Sequence, residues 1–390
     1  MILKIPTAWL QLKYEKNRLL VAIGGISFAI VLIFMQLGLR AALFDSAVAL
    51  HKSLQGEIFL LSPRSTASIT MDNFSERRLY QALAFEEVES VIPIYLGFAQ
   101  WKNPKRKNYW RNIYVIGFDI SYPVLDLPGV KKNIEKLKLP DVVLFDEASR
   151  AEFGPVASEF KRKGAVTTEV GDRGPGNRKI TVEGLFKLGT SFGADGNLIT
   201  SDLNFLRIFM QRPKGFINLG VIKLKPGYDA KAVCQKLIKY LPSDIKVLSK
   251  EELMDFEKQY WNTSTPIGFI FALGVVLGLV VGIIIVYQIL YSNVSEHLAE
   301  YATLKAMGYK HSYLLSIVFQ ESIILAILGY IPGIIISEGM YKFARDSTLL
   351  PVAMASRRAL FVLVLTFLMC FISGAIAVRK LGEADPADVF

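Results

Sequence analysis

Catalysis and ligand binding need particular side chains at particular spacings, and this sequence offers few such sets. The three histidines, His51, His297 and His311, show no metal-ligand spacing and have no cysteine partner, so no metal site is expected. Gly184-Leu-Phe-Lys-Leu-Gly189 resembles the start of a phosphate loop, but Thr190 stands where the lysine belongs. No Gly-x-Ser-x-Gly nucleophile motif occurs. The chain therefore reads as non-enzymatic, with no catalytic residue and no cofactor of its own. Charge and apolar side chains do combine usefully in one polar stretch, residues 292–312. There Val294, Leu298, Tyr301 and Leu304 recur every three or four positions, with Glu296, Glu300 and Thr303 on the other side. His297 and Lys305 interrupt the apolar stripe, and Gly308, before Tyr309, supplies a C-terminal stop. The chemistry this stretch offers is recognition: charge-assisted hydrogen bonds from Glu300 and Lys305, with Leu304 and Met307 as apolar anchors. It is either a surface helix that presents a face to a partner or a tight helical loop between two longer helices.

The elements on either side decide where that stretch lies. Residues 266–291 carry no charge and 313–337 carry only Glu321. At ~1.5 Å per residue, such runs rise roughly 37 Å, enough to cross a ~30 Å hydrocarbon core. Two further apolar runs, 19–43 and 359–378, bring the expected spans to four. The chain has 390 residues, 52% of them hydrophobic, with mean hydropathy +0.35, which is too apolar for an ordinary soluble protein. The expected fold is a polytopic α-helical membrane protein with a large α+β extracytoplasmic domain between helices 1 and 2. The segments are an interfacial helix 1–18, spans 19–43, 264–291, 313–338 and 359–378, the domain 44–263, the linking helix 292–312, an external loop 339–358 and a tail 379–390. The first apolar run is too long for a signal-peptide core and lacks a cleavage site, so it reads as a retained anchor.

Within the domain, 57–61, 88–101, 111–119, 216–225 and 245–248 read as strands, and 75–84 and 229–240 as helices. βαβ-like units thus sit at both sequence ends, and the middle, about 121–215, reads as an insertion that makes a second lobe. Ser249 with Glu252 fits a capping box at the start of a helix leading to Trp261, an interfacial residue. Cys234 and Cys370 fall in predicted helices and support no disulfide framework. The net charge of +10 suits anionic lipid headgroups; no nucleic-acid-binding fold accompanies it. Residues 102–111, basic and aromatic, form either a solvated hairpin tip or a contact for lipid headgroups or an acidic partner.

Gly274, Gly278 and Gly282, four apart, make a stripe on which another helix backbone can pack, unless they reflect only the abundance of glycine in membrane helices. Glu321 either reaches polar partners near the 292–312 stretch or snorkels to water. Pro332-Gly333 is expected to kink its helix. Lys4, Lys13, Lys16 and Arg18 precede the apolar core 19–39 of the first span against Arg40 on its other side, so both termini and residues 292–312 are expected in the cytoplasm. Lys342, Arg345, Arg357 and Arg358 in the third-to-fourth loop argue the other way.

One span, a large external domain and three spans resemble the permeases of the MacB/FtsX-like (type VII) ABC transporters. Glu300-Tyr-Ala-Thr-Leu-Lys-Ala-Met-Gly308 looks like their E-x-x-x-L-x-A-x-G coupling segment, with Tyr301-Ala302-Thr303 where relatives often carry Ile-Gly. Glu321 followed by Gly329 and Gly333 is similar to the next helix, and Asp385-Pro386-Ala387 to the tail. The whole chain, including Ala8-Trp-Leu-Gln-Leu12, resembles the DevC-type permeases of cyanobacterial DevBCA-like exporters. The resemblance implies an inner-membrane permease that transmits conformational change from a cytoplasmic ABC ATPase, which binds the ATP, to a periplasmic domain. It also implies a homodimer, a membrane-fusion adaptor, a TolC-like outer-membrane channel and a lipid, glycolipid or other amphipathic substrate. ATPase coupling would then rest on Glu296, Glu300, Leu304, Lys305, Met307, Gly308 and Tyr309. The alternative is an FtsX-like signalling protein that controls a periplasmic hydrolase.

Overall fold

The computed structural model describes residues 7–14, 16–106, 108–172, 178–309 and 311–382, which divide between two compact units. Asp385-Pro386-Ala387, most of the 379–390 tail, and Lys4 lie outside the described residues.

One unit comprises Met1–Ala42, Ile267–Ser347 and Val352–Phe390. Among the described residues there are four helices long and apolar enough to cross a membrane, with apolar stretches in Lys16–Ala47, Pro266–Glu296, Leu315–Thr348 and Ser356–Val378. The fold is thus a four-span membrane protein with an α+β domain between the first and second spans. The helices outrun the expected spans. The first starts at Lys16 and ends at Ala47 because the backbone ladder needs no apolar side chains to continue past the hydrocarbon. The third runs from His311 to Thr348, through much of the segment expected as an external loop. It stops where Leu349 adopts φ 60° and Pro351 follows. A short helix, Thr7–Tyr14, precedes the first span, and another, Leu298–Ala306, follows the second.

The second unit comprises Leu43–Pro266 and Thr348–Pro351. Its strands are β1 (Ile58–Leu61), β2 (Phe74–Ser75), β3 (Val88–Lys102), β4 (Trp110–Phe118), β5 (Val142–Asp146), β6 (Val166–Gly171), β7 (Arg178–Phe186), β8 (Asn197–Ser201), β9 (Phe216–Ile217), β10 (Leu219–Leu224) and β11 (Lys246–Ser249). Nine pair in the order β11-β1-β10-β3-β4-β8-β5-β7-β6, and β6 returns to β3 through Trp101↔Val170. That last pairing closes six strands into a ring. The fifteen-residue β3 belongs to both lobes: Val88–Ile94 pairs with β10, and Ile94–Lys102 pairs with β4. The 121–215 segment is therefore not a free-standing insertion, since it completes its lobe only with β3 and β4.

Successive residues of β1 enter opposite cores, Ile58 and Leu60 in one and Phe59 and Leu61 in the other, so the strand is apolar throughout. The single strand expected over 216–225 divides at Asn218. Its Oδ1 accepts the Leu96 N–H at 2.7 Å and its Nδ2 donates to the Met71 carbonyl at 3.1 Å. Asp229 caps the helix Ala230–Tyr240, and Ser249 and Glu252 form the capping box of the helix Lys250–Gln259.

Candidate coupling site

The second span ends at Glu296 and a new helix starts at Leu298, with His297 between them at φ −93°, ψ 16°. The turn keeps its backbone satisfied, since His297 N–H donates to Asn293 O at 3.1 Å and Tyr301 N–H to His297 O at 3.0 Å. At the far end Gly308 takes φ +91°, which an L side chain rarely adopts. Tyr309 N–H reaches Leu304 O and Gly308 N–H reaches Lys305 O, each at 3.1 Å, the bond pair of a Schellman stop. The helical stretch is therefore bounded by its own sequence.

Its two faces differ. Tyr301 is buried in a cluster with Ala8, Val294, Ile317 and Val318, and Leu304 packs partly against it. Met307 is 63% exposed and Tyr309 46%, while Glu300, Thr303, Lys305 and Ala306 are also exposed. Leu304 was expected as an outward anchor; the structure turns it toward the chain's own core instead, because it falls one helical turn from Tyr301. Met307 and Tyr309 hold the outward apolar positions. Glu300 pairs with His297 Nδ1 at 3.1 Å. Glu296 faces the first span, where Arg18 donates to both its oxygens at 2.5 Å and to Ser292 Oγ at 2.5 Å. It is an internal tie, and sequence reasoning missed its partner. The opposite charges at two span ends were the signal, but nothing in the sequence paired positions 278 residues apart.

The glycine stripe of the second span is covered from within the same chain. A Cβ on Gly278 would lie 2.9 Å from Ile33 and one on Gly282 would meet Met369 of the fourth span and lie 3.1 Å from Ala29, while Gly274 abuts Gln36. Gly333 plays the same part on the third span, 2.8 Å from Ile30, and Gly329 abuts Ile26. The third helix continues through Pro332, and Gly333 serves close packing there. Both stripes thus grip the first span, whose Ala29, Ile30, Ile33 and Phe34 are wholly buried. Ser27 Oγ adds a bond to Gly329 O at 2.9 Å, and Tyr341 OH one to Phe34 O at 2.5 Å. Glu321 is 1% exposed, which removes the snorkelling alternative.

A second buried cluster, also missed, lies in the α+β unit. Glu257 Oε2 accepts from Ser68 N–H at 2.7 Å and Ser68 Oγ at 2.6 Å, and its Oε1 accepts from Trp261 Nε1 at 2.9 Å. His51 Nε2 lies 3.1 Å from Ser68 Oγ and 3.8 Å from the carboxylate. Both Ser68 and Glu257 meet the same imidazole nitrogen, so the trio lacks the relay of a hydrolytic triad. Burial pushes the His51 pKa below its ordinary value against the pull of Glu257. The cluster ties the short helix Ala49–Ser53 to the helix Lys250–Gln259, the segments next to the first and second spans in sequence.

The remaining candidates resolve plainly. Gly184 lies within β7, not in a phosphate-cradling loop. Residues 103–109 link β3 and β4, where Lys102 pairs with Glu169 and Lys105 with Glu159, at 2.5 and 2.7 Å. This favours the solvated hairpin tip. Among the described residues, no group of three or more His, Cys, Asp or Glu is placed to hold a metal ion.

Residues 269–386 match the family described as FtsX-like permease C-terminal. That stretch holds the last three spans and the linking helix. Two solved structures are each similar to about half of this chain. One is the periplasmic region of MacB from Actinobacillus actinomycetemcomitans, 13% identical, covering 55% of this chain and 95% of that one, with TM-score 0.35. The other is the extracellular domain of the noncanonic ABC-type transporter YknZ from Gram-positive bacteria, 13% identical, covering 50% and 98%, with TM-score 0.33. No curated protein matches the sequence.

Proposed function

We propose that this chain is the permease subunit of an ATP-driven transporter and that a separate ABC ATPase docks on the outward face of Leu298–Ala306 and the turn after it. The observation that carries this reading is the FtsX-like permease match over 269–386, within which the helix presents Glu300, Lys305, Met307 and Tyr309 outward. In this reading the N-terminus, 292–312 and the C-terminus are cytoplasmic and the α+β domain is periplasmic, in the inner membrane. ATPase closure displaces the linking helix, and the Arg18–Glu296 tie transmits the displacement to the first span. Export of a lipid, glycolipid or other amphipathic substrate through an adaptor and a TolC-like channel, by a homodimer of the DevC branch, is the specific form we propose. A permease that moves no substrate and controls a periplasmic hydrolase is the second reading, favoured by the FtsX-like match itself.

Co-purification of the chain with ABC ATPases co-expressed from its source genome, followed by ATPase rate and lipid efflux in proteoliposomes, tests the proposal. Association with stimulated hydrolysis and efflux supports export. Association without efflux, but with activation of a hydrolase, supports the second reading, and absence of any association overturns both.

A further inference from the structure

The N-terminal helix Thr7–Tyr14 has an apolar residue on every side. Ala8 and Leu12, one turn apart, are 1% and 4% exposed; Ala8 packs with Val294, Tyr301, Ile317 and Val318, and Leu12 lines a crevice with Asn293 and His297. At 100° per residue, Leu10, Lys13 and Tyr14 fall on the opposite side and Trp9 on its flank, with Trp9 39%, Leu10 52% and Tyr14 87% exposed. A helix apolar on both sides has no face suited to water alone, so the far side needs a covering of its own.

Position and composition identify that covering. One residue separates Tyr14 from Lys16, where the first span begins, and the exposed Leu20 and Val21 of that span face hydrocarbon if the span crosses a bilayer. Trp and Tyr are residues of the headgroup layer. Lys4, Lys13, Lys16 and Arg18 stand against a single acid, Glu15, before the first span, so the stretch is basic where it meets the membrane surface. We propose that the Trp9–Leu10–Lys13–Tyr14 side docks on anionic lipid headgroups. Through Ala8 and Leu12 the same helix holds the core under the linking helix, so the lipid surface sets the position of Leu298–Ala306. The inference needs only the membrane location of the spans and is independent of the ATPase reading.

An environment-sensitive fluorophore on Leu10→Cys of the full chain provides the test, with native Cys234 and Cys370 both buried. The protein is reconstituted in vesicles of phosphatidylcholine alone or with an equal part of phosphatidylglycerol. The expected result is emission shifted to the blue, quenched by headgroup spin-labelled lipid, with a further shift in phosphatidylglycerol that Lys13→Glu with Lys16→Glu removes. A second label at Ala306→Cys is expected to respond to phosphatidylglycerol, while one at Tyr122→Cys is not. Emission that stays water-like and open to iodide in both vesicles overturns the proposal. So does shielding that appears only on adding the ATPase, which assigns the face to a protein partner, or that grows with protein density, which assigns it to a second copy. An Ala306 label indifferent to lipid charge overturns the transmission step.

Discussion

The Arg18 guanidinium closes on the Glu296 carboxylate with both contacts at 2.5 Å, joining the start of the first span to the end of the second. Both groups are partly exposed, so the pair adds less than about 1 kcal/mol to stability. Its value is directional, because a bidentate guanidinium–carboxylate contact fixes orientation as well as distance. Arg18→Glu and Glu296→Arg are each expected to leave melting of the purified protein nearly unchanged and to lower stimulated ATPase activity severalfold. The double exchange is expected to recover most of it. A double-mutant cycle on ATPase rate checks this; additive losses would show that the two residues act separately.

The outward and inward faces of the linking helix make opposite predictions. Met307→Asp and Glu300→Lys are expected to keep the protein inserted and stable while losing the ATPase in co-purification. Truncating or reversing such a contact weakens binding by more than about 1 kcal/mol, at least about a fivefold effect. Leu304→Asp instead places a charge against the Tyr301 cluster, so its melting temperature falls whether or not the ATPase is present. Thermal melts beside pull-downs separate the two classes.

Gly278→Leu and Gly333→Leu drive side chains into Ile33 and Ile30 of the first span. Overpacking of this kind costs roughly 1–3 kcal/mol. Both variants are expected to melt early and to aggregate in detergent even as monomers. Normal melting with loss only of dimer cross-linking would place the glycines at an interface between copies instead.

The buried His51 predicts an acid dependence. Its folded pKa lies below the ordinary 6.5, so below that pH the unfolded chain binds the extra proton more readily than the folded one. Stability is therefore expected to fall as pH drops from 6.5 toward the folded pKa and to be unaffected by His51 above 6.5. His51→Gln is expected to flatten that limb of a melting-temperature profile. An unchanged acid slope in the variant would assign the dependence to other groups.

Length and apolar composition alone determined the four spans, because each helix in hydrocarbon must satisfy its own backbone and so leaves a long uncharged run in the sequence. The local stops were equally legible: Gly308, the Ser249–Glu252 box and the Asp229 cap act within a few residues of themselves. The runs of β-branched and aromatic residues in β3 and β4 were visible for the same reason. Only the tertiary structure decided which surfaces those elements share. Sequence periodicity placed Leu304 on an apolar stripe but could not say whether the stripe faced a partner or the chain's own core. It showed three glycines spaced for close packing on the second span without showing that Gln36, Ile33 and Ala29 of the first span lie beside them. Arg18 with Glu296, and His51 with Ser68 and Glu257, are contacts between distant segments. Each depends on where two helices stand in space, and no local spacing carries that information.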